Sequence, residues 1–217
     1  MIGTGNAIDL VILVADKDMQ QSLEGLLQRN QSLGIRSIST QIFSHPKKDP
    51  GVFNEGHRFL RAFHKSASYC LVMFDREGCG AGAQTRDAIE NTIETLLAQN
   101  GWPDRSAAIV FDPELEAWVW SESPHVDSVL GWPCRDRNLR AWLVDQGFLE
   151  PGNPKPLRPK KAVQAALRQS RRRRSSALYR ELAKKARFSH CKDASFAKFL
   201  WTLRSWFPAG QGLETNQ

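Results

Sequence analysis

The chain has 217 residues and a formal net charge of +7, enough sequence to bury one sizeable core and too little for several domains. No apolar run approaches the roughly 20 residues of a membrane span, and no basic leader with a hydrophobic stretch opens the chain, so the expectation is a cytoplasmic protein with no membrane part. The four cysteines, Cys70, Cys79, Cys134 and Cys191, are scattered without a C-x-x-C pair, which reads as reduced structural thiols rather than a zinc site.

Taken in order, the first apolar run is Ile8-Asp-Leu-Val-Ile-Leu-Val-Ala15, a strand whose composition suits a central position. Asp16-Lys-Asp18 follows, and Leu23, Leu26 and Leu27 then recur at helical spacing. Either acid could cap that helix; Asp18 is the preferred cap, and Asp16, directly at the strand end, is the candidate site residue. Ile35 to Phe43 alternates apolar and polar residues and predicts a second strand. His45 to Gly51 reads as a loop, and Phe59, Leu60 and Phe63 predict a helix from about 54 to 67. His57 and His64 share one face of it with no carboxylate at ligand spacing, and read as ordinary surface or partly buried histidines.

Tyr69-Cys-Leu-Val-Met-Phe-Asp75 is the strand around which the chain is organised. A short apolar run ended by an acidic pair, Asp75 and Glu77, and a glycine turn reads as a buried strand of a parallel sheet. Ligands of open α/β sheets bind outside the carboxyl ends of the strands, and two carboxylates two residues apart at such an end repel each other unless a hard divalent ion relieves them. Gly78, Gly80 and Gly82 make a flexible loop without the Gly-Lys-Ser/Thr ending of a P-loop. A helix is predicted over Thr85–Gln99, then a strand over Ala107–Phe111 that runs into Asp112-Pro113-Glu114-Leu-Glu116-Ala-Trp118. Pro113 suits the first turn of a helix, on which only one of Glu114 and Glu116 would face the site; Glu116 is chosen, with Glu114 in reserve.

From Pro124 the pattern is helical, with helices predicted near 136–146, 159–169, 175–187 and 194–206. Charge is uneven along the chain: residues 151–207 hold sixteen Lys or Arg against Glu181 and Asp193, a balance of +14, while residues 1–150 carry −6. That asymmetry points to a metal-loaded acidic site beside a polyanion-binding surface, with Lys160, Lys161, Arg171, Arg172, Arg173 and Arg174 as the candidate nucleic-acid contacts. The expected architecture is α/β, a mostly parallel sheet flanked by helices over 1–122, a basic all-helical extension over 123–207 and a disordered tail over 208–217. Acids at three strand ends, Asp16, Asp75 with Glu77, and Glu116, form a set able to hold one or two Mg²⁺ (or Mn²⁺) ions for phosphoryl chemistry.

These residues resemble a known family. A strand-end acid before a helix (Val14-Ala-Asp16), then Phe74-Asp-Arg-Glu77, then Pro113-Glu-Leu-Glu116-Ala-Trp118, and the late Lys155-Pro and Ser195-Phe-Ala-Lys-Phe199 are similar to the TOPRIM-like proteins found beside bacterial anti-phage systems, including a methylation-associated defence system. The family's Pro-x-x-Glu-x-Trp pattern falls on Pro113, Glu116 and Trp118. The chain departs from it at Asp16-Lys17, where Glu-Gly is usual, and at Glu77, where Asp is commoner. The resemblance implies Mg²⁺-dependent processing of DNA or RNA phosphodiesters, as in OLD-type nucleases, with Asp16, Asp75, Glu77 and Glu116 as catalytic and metal-holding residues and other defence proteins as partners. The competing reading is a non-catalytic nucleic-acid-binding subunit of a defence complex. A response-regulator receiver fits worse, because the Lys expected after a fifth strand is missing.

Overall fold

The computed structural model describes residues 8–121, 123–132, 138–187, 191 and 193–210. Cys134 and residues 211–217 of the expected tail lie outside them. Four strands, β1 (Ile8–Val14), β2 (Thr40–Ser44), β3 (Ala67–Asp75) and β4 (Ser106–Phe111), form one sheet in the order β2-β1-β3-β4. Every pairing is parallel. The registers Val14↔Ser44, Val14↔Met73 and Asp75↔Phe111 align the carboxyl ends along a single edge. The two central strands are the apolar runs read from the sequence, and Leu10–Val14 and Cys70–Phe74 are fully buried. Continuous burial on both faces is what a parallel sheet between helices requires.

Helices α1 (Lys17–Leu27), α2 (Asn30–Leu33), α3 (Lys48–Leu60) and α4 (Arg86–Gln99) alternate with the strands, and α5 (Pro124–Val129), α6 (Leu139–Asp145), α7 (Pro159–Ser170), α8 (Ser176–Lys185) and α9 (Ala194–Trp206) follow β4. Among the described residues no helix is long and apolar enough to cross a membrane.

Two boundaries differ from those the sequence predicts. The second strand starts at Thr40, because Gly34 in the left-handed region ends α2 and Ile35 is taken up in an antiparallel bridge to Pro208. That bridge also ties down the start of the expected tail. The third helix begins at Lys48, inside the predicted loop: Pro50 falls in its first turn, where a missing N–H costs nothing.

Two contacts seat the late helices on the sheet. Helix α8 crosses α1 at Gly25, where a Cβ would stand 2.7 Å from the Arg180 carbonyl oxygen and 2.9 Å from Ala183 Cβ. Next to this contact α9 brings Phe196 and Ser195 to Trp118, whose indole N–H donates to Ser195 Oγ at 2.8 Å and whose ring meets Phe111 and Phe196 edge-on at 4.6 and 4.7 Å.

The β4 edge is closed by side chains. Ala108 N–H donates to Glu94 Oε1 and Val110 N–H to Glu90 Oε1, each at 2.9 Å. Lys198 of α9 reaches Glu90 Oε2 at 3.0 Å and Glu94 Oε1 at 2.7 Å. An open edge is a template for pairing with another chain; here two glutamates accept its hydrogen bonds and one lysine neutralises them.

Candidate functional site

Asp75 ends β3 and is buried. Its Oδ1 accepts the Leu115 N–H at 2.8 Å, and its own N–H donates to Asp49 Oδ1 at 2.8 Å. Burial first, then the charges of Asp49 and Glu116, push its carboxyl well above the ordinary range against the opposing pull of Leu115 N–H and Lys160. Asp49, in the first turn of α3, is likewise raised, by burial. Sequence reasoning misses this aspartate. The Pro and Gly around it read as loop, and only a helix start, where an acid is favoured by the macrodipole, would draw notice to it.

The segment leaving β4 corrects the expectation that a single acid faces inward. Asp112–Pro113 is a cis peptide, Glu114 is extended at φ −159°, ψ 163°, and a 3₁₀ turn starts only at Leu115. The helical argument therefore does not apply between Glu114 and Glu116, and both are buried. Glu114 Oε1 accepts the backbone N–H of Lys160 at 2.8 Å, and its Oε2 lies 3.7 Å from the Lys160 ammonium. Burial raises the Glu114 carboxyl, with Glu116 and Glu77 adding to the shift. Glu116 Oε1 accepts the Tyr179 hydroxyl at 2.6 Å and lies 3.5 Å from Arg174. Burial and the Glu116 charge hold the Tyr179 phenol above the usual range, so it stays a protonated donor.

Of the two acids after β1, it is Asp16 and not Asp18 that caps the helix. Asp16 is the cap of α1, its Oδ1 accepting the Met19 N–H at 3.0 Å. Asp18 instead receives Arg174 at 2.5 Å and Ser176 Oγ at 2.6 Å. The residue immediately before the helix has the extended backbone a cap needs, and Asp18, already inside the first turn, is free to face α8. Glu77 is exposed at the rim, its N–H donating to the Pro113 carbonyl at 3.1 Å.

The basic run is divided between structural and solvent-facing duties. Arg174 binds Asp18, Tyr179 Oη at 3.1 Å and Glu116; Arg172 pairs with Glu181 at 2.7 Å. Lys161, Arg171 and Arg173 are exposed and have no ion-pair partner among the described residues. Lys160 belongs to the acid cluster. Burial works to lower its ammonium, but Glu116, Asp75 and Glu114 together hold it above the lysine range.

The strand ends thus gather carboxylates, the hard oxygen donors that Mg²⁺ or Mn²⁺ take, around Asp75. Their type fits such an ion. Their arrangement is that of acids already facing protein cations: among the described residues no three Asp, Glu, His or Cys side chains stand together as a ligand set. A groove of about 1200 Å³ lies elsewhere, lined by Trp120, Asp127, Arg140, Glu150, Lys155 and Asp193 among others, and none of the clustered acids borders it. Its mixed charge singles out no ligand class. Compared with family models, curated proteins and solved structures, the chain matches none.

Proposed function

We propose that the carboxyl edge of the sheet is a Mg²⁺- or Mn²⁺-dependent phosphodiester-processing site, nuclease-like in its chemistry, acting on DNA or RNA. The observation that carries the reading is Asp75, buried at the end of a central strand with Asp49 and Glu116 close enough to raise its carboxyl. Carboxylates are gathered in this way at a cost in repulsion, and a site for a hard cation is the use that offsets it. Asp75, Glu116, Glu114 and Asp16 would hold the ion, with Glu77 at the rim; the ion would polarise a phosphoryl oxygen and acidify a water. The resemblance of the motifs, rather than the geometry, is what associates the chain with anti-phage defence and with partner proteins of such a system.

A direct test is incubation of the protein with Mn²⁺ or Mg²⁺ and linear duplex DNA, single-stranded DNA or single-stranded RNA. Cleavage that chelator abolishes, and that falls at least about a hundredfold in Asp75→Asn, is the expected result.

The second reading, a nucleic-acid-binding subunit without catalysis, is favoured by Lys160 and Arg174, which already neutralise part of the cluster. Chelator-insensitive binding with no cleavage of any substrate would select it.

Both readings share a prediction about the exposed cations. Replacing Arg171 and Arg173 by Gln should lower the slope of log K against log[salt] by about 0.7–0.9 for each phosphate that the variant no longer neutralises, equally for all sequences. Arg172→Gln, which removes a residue already paired with Glu181, should leave the slope nearly unchanged. A slope unaffected by the double substitution would remove this face from the nucleic-acid interface.

A further inference from the structure

The sheet has two edges, and the chain treats them differently. On β4, Glu90 and Glu94 accept outward N–H groups and Lys198 neutralises the pair. At the other edge, β2 carries no such device among the described residues. Leu10 N–H donates to the Ser39 carbonyl and His45 N–H to the Val14 carbonyl, so the odd-numbered residues here turn their peptide groups toward β1. Peptide groups alternate in direction along a strand, so those of Thr40, Ile42 and Ser44 point outward. None of these N–H groups has a partner among the described residues. The Ile42 carbonyl accepts the Gln20 amide at 3.4 Å. Thr40-Gln-Ile-Phe-Ser44 contains neither charge nor proline, the usual means of keeping a bare edge unpaired. Beside it, half-buried Phe43 meets Phe59 at 5.5 Å and Phe63 at 5.0 Å, two rings that are themselves half-buried.

We propose that β2 is a dimer edge, occupied by β2 of a second copy of this chain, antiparallel about a two-fold axis through Ile42. The strand matches itself in this register. Its outward peptide groups are spaced symmetrically about Ile42, so Ile42 falls opposite its own copy and Thr40 opposite the partner's Ser44. Such pairs exchange two N–H···O=C bonds each, and every outward N–H of the strand finds an acceptor. The side chains agree. Thr40 sets its hydroxyl against that of the partner's Ser44, a favourable cross-strand pair, and Gln41 lies against the partner's Phe43 at a closely spaced position. With no charge in the strand, the axis brings no like charges opposite one another. The same edge serves both copies and the β4 edge is closed, so assembly stops at two. The two four-stranded sheets become one continuous sheet. This pairing needs no metal at the strand ends.

The experiment is sedimentation equilibrium on the full chain over a dilution series, wild type against Ile42→Lys, with Gln99→Lys as the control. Ile42→Lys sets two ammonium groups opposite each other across the axis. It spares the β1 ladder, which uses no peptide group of residue 42. Gln99 is exposed at the end of α4, the helix that closes the far edge. The wild-type mass should rise with concentration toward twice the 24.5 kDa of the chain. Ile42→Lys should weaken the dimer at least about a hundredfold, the usual cost of opposed like charges, and Gln99→Lys less than about twofold. In the wild type, hydrogen exchange at the amides of Thr40, Ile42 and Ser44 should slow as concentration rises, while Gln41 and Phe43, bonded to β1, stay slow throughout. This alternation decides the matter alone if the variant does not fold. A dimer that both variants weaken alike or leave intact, or outward amides that exchange fast at every concentration, overturns the proposal. A chain that stays single up to about 1 mM also overturns it, and leaves the edge to an extended segment of a different protein.

Discussion

Replacing Asp75 by Asn should stabilise the ion-free protein at neutral pH and abolish its stabilisation by Mg²⁺. The amide keeps an oxygen for the Leu115 N–H and removes the charge that Asp49 and Glu116 oppose. A gain of roughly 0.5–2 kcal/mol is typical when a functional conflict is relieved, and each kcal/mol moves Tm by about 2–4 °C in a chain of this size. The pH dependence follows from the raised carboxyl. A folded-state pKa above the unfolded value of 3.8 means that the native state holds a proton which the unfolded state releases. The stability this group contributes at low pH is therefore lost as pH rises from about 3.8 through the raised value. The Tm difference between Asp75→Asn and wild type should be small near pH 4 and grow with pH above it. Excess Mg²⁺ should raise the wild-type Tm and leave the variant unmoved, since an ion stabilises only the state that binds it. Parallel pH curves for the two proteins would remove Asp75 from any charge conflict.

Glu90→Ala should be among the most damaging substitutions in the chain. The Glu90 side chain is 3% exposed; one oxygen accepts the Val110 N–H and the other faces Lys198 at 3.0 Å. Alanine leaves a buried strand donor without an acceptor and deprives a lysine of one of its two partners. The expected destabilisation is about 2–4 kcal/mol, read as a lower urea midpoint with an unchanged slope. Glu90→Gln keeps an oxygen for Val110 and removes only the charge, so it should recover about half of that stability. Equal destabilisation by Ala and Gln would assign the whole effect to the ion pair with Lys198 rather than to the strand edge.

The sheet was legible because its residues report their own environment. Seven or so consecutive apolar side chains bounded by acids and glycine fit few structures other than a strand buried on both faces, and β1, β3 and β4 lie within about two residues of where the pattern put them. Helix α9 begins and ends where its apolar spacing predicted. The exposed second strand was displaced, because alternation of weakly apolar residues from Ile35 carries no information about the Pro208 bridge that claims the first of them. At the strand ends, the positions of Asp75 and Glu116 followed from chain order alone. Their partners did not. Asp49, Lys160, Arg174 and Tyr179 reach the acids from 26, 85, 99 and 104 residues' distance along the chain from Asp75, and no local periodicity marks a contact made only on folding. That Asp16 rather than Asp18 caps α1 turns on the position of the helix boundary, the feature least visible in a pattern of apolar spacing.

The crossing of α8 over Gly25 bears on how this protein can be dissected. Ser22 and Leu26 of α1 form a seam with Tyr179, Leu182 and Ala183 of α8, and the glycine between them lets the two backbones approach. A fragment stopped at residue 150 would lay that seam open to water, take Lys160 and Arg174 from the acids, and strip Lys198 from the β4 edge. The basic half is therefore no detachable handle for nucleic acid. It is the outer wall of the front half, so the shortest piece that can fold with these contacts intact runs on through α9, and a swap of the rear half with another chain succeeds only if the newcomer brings its own wall.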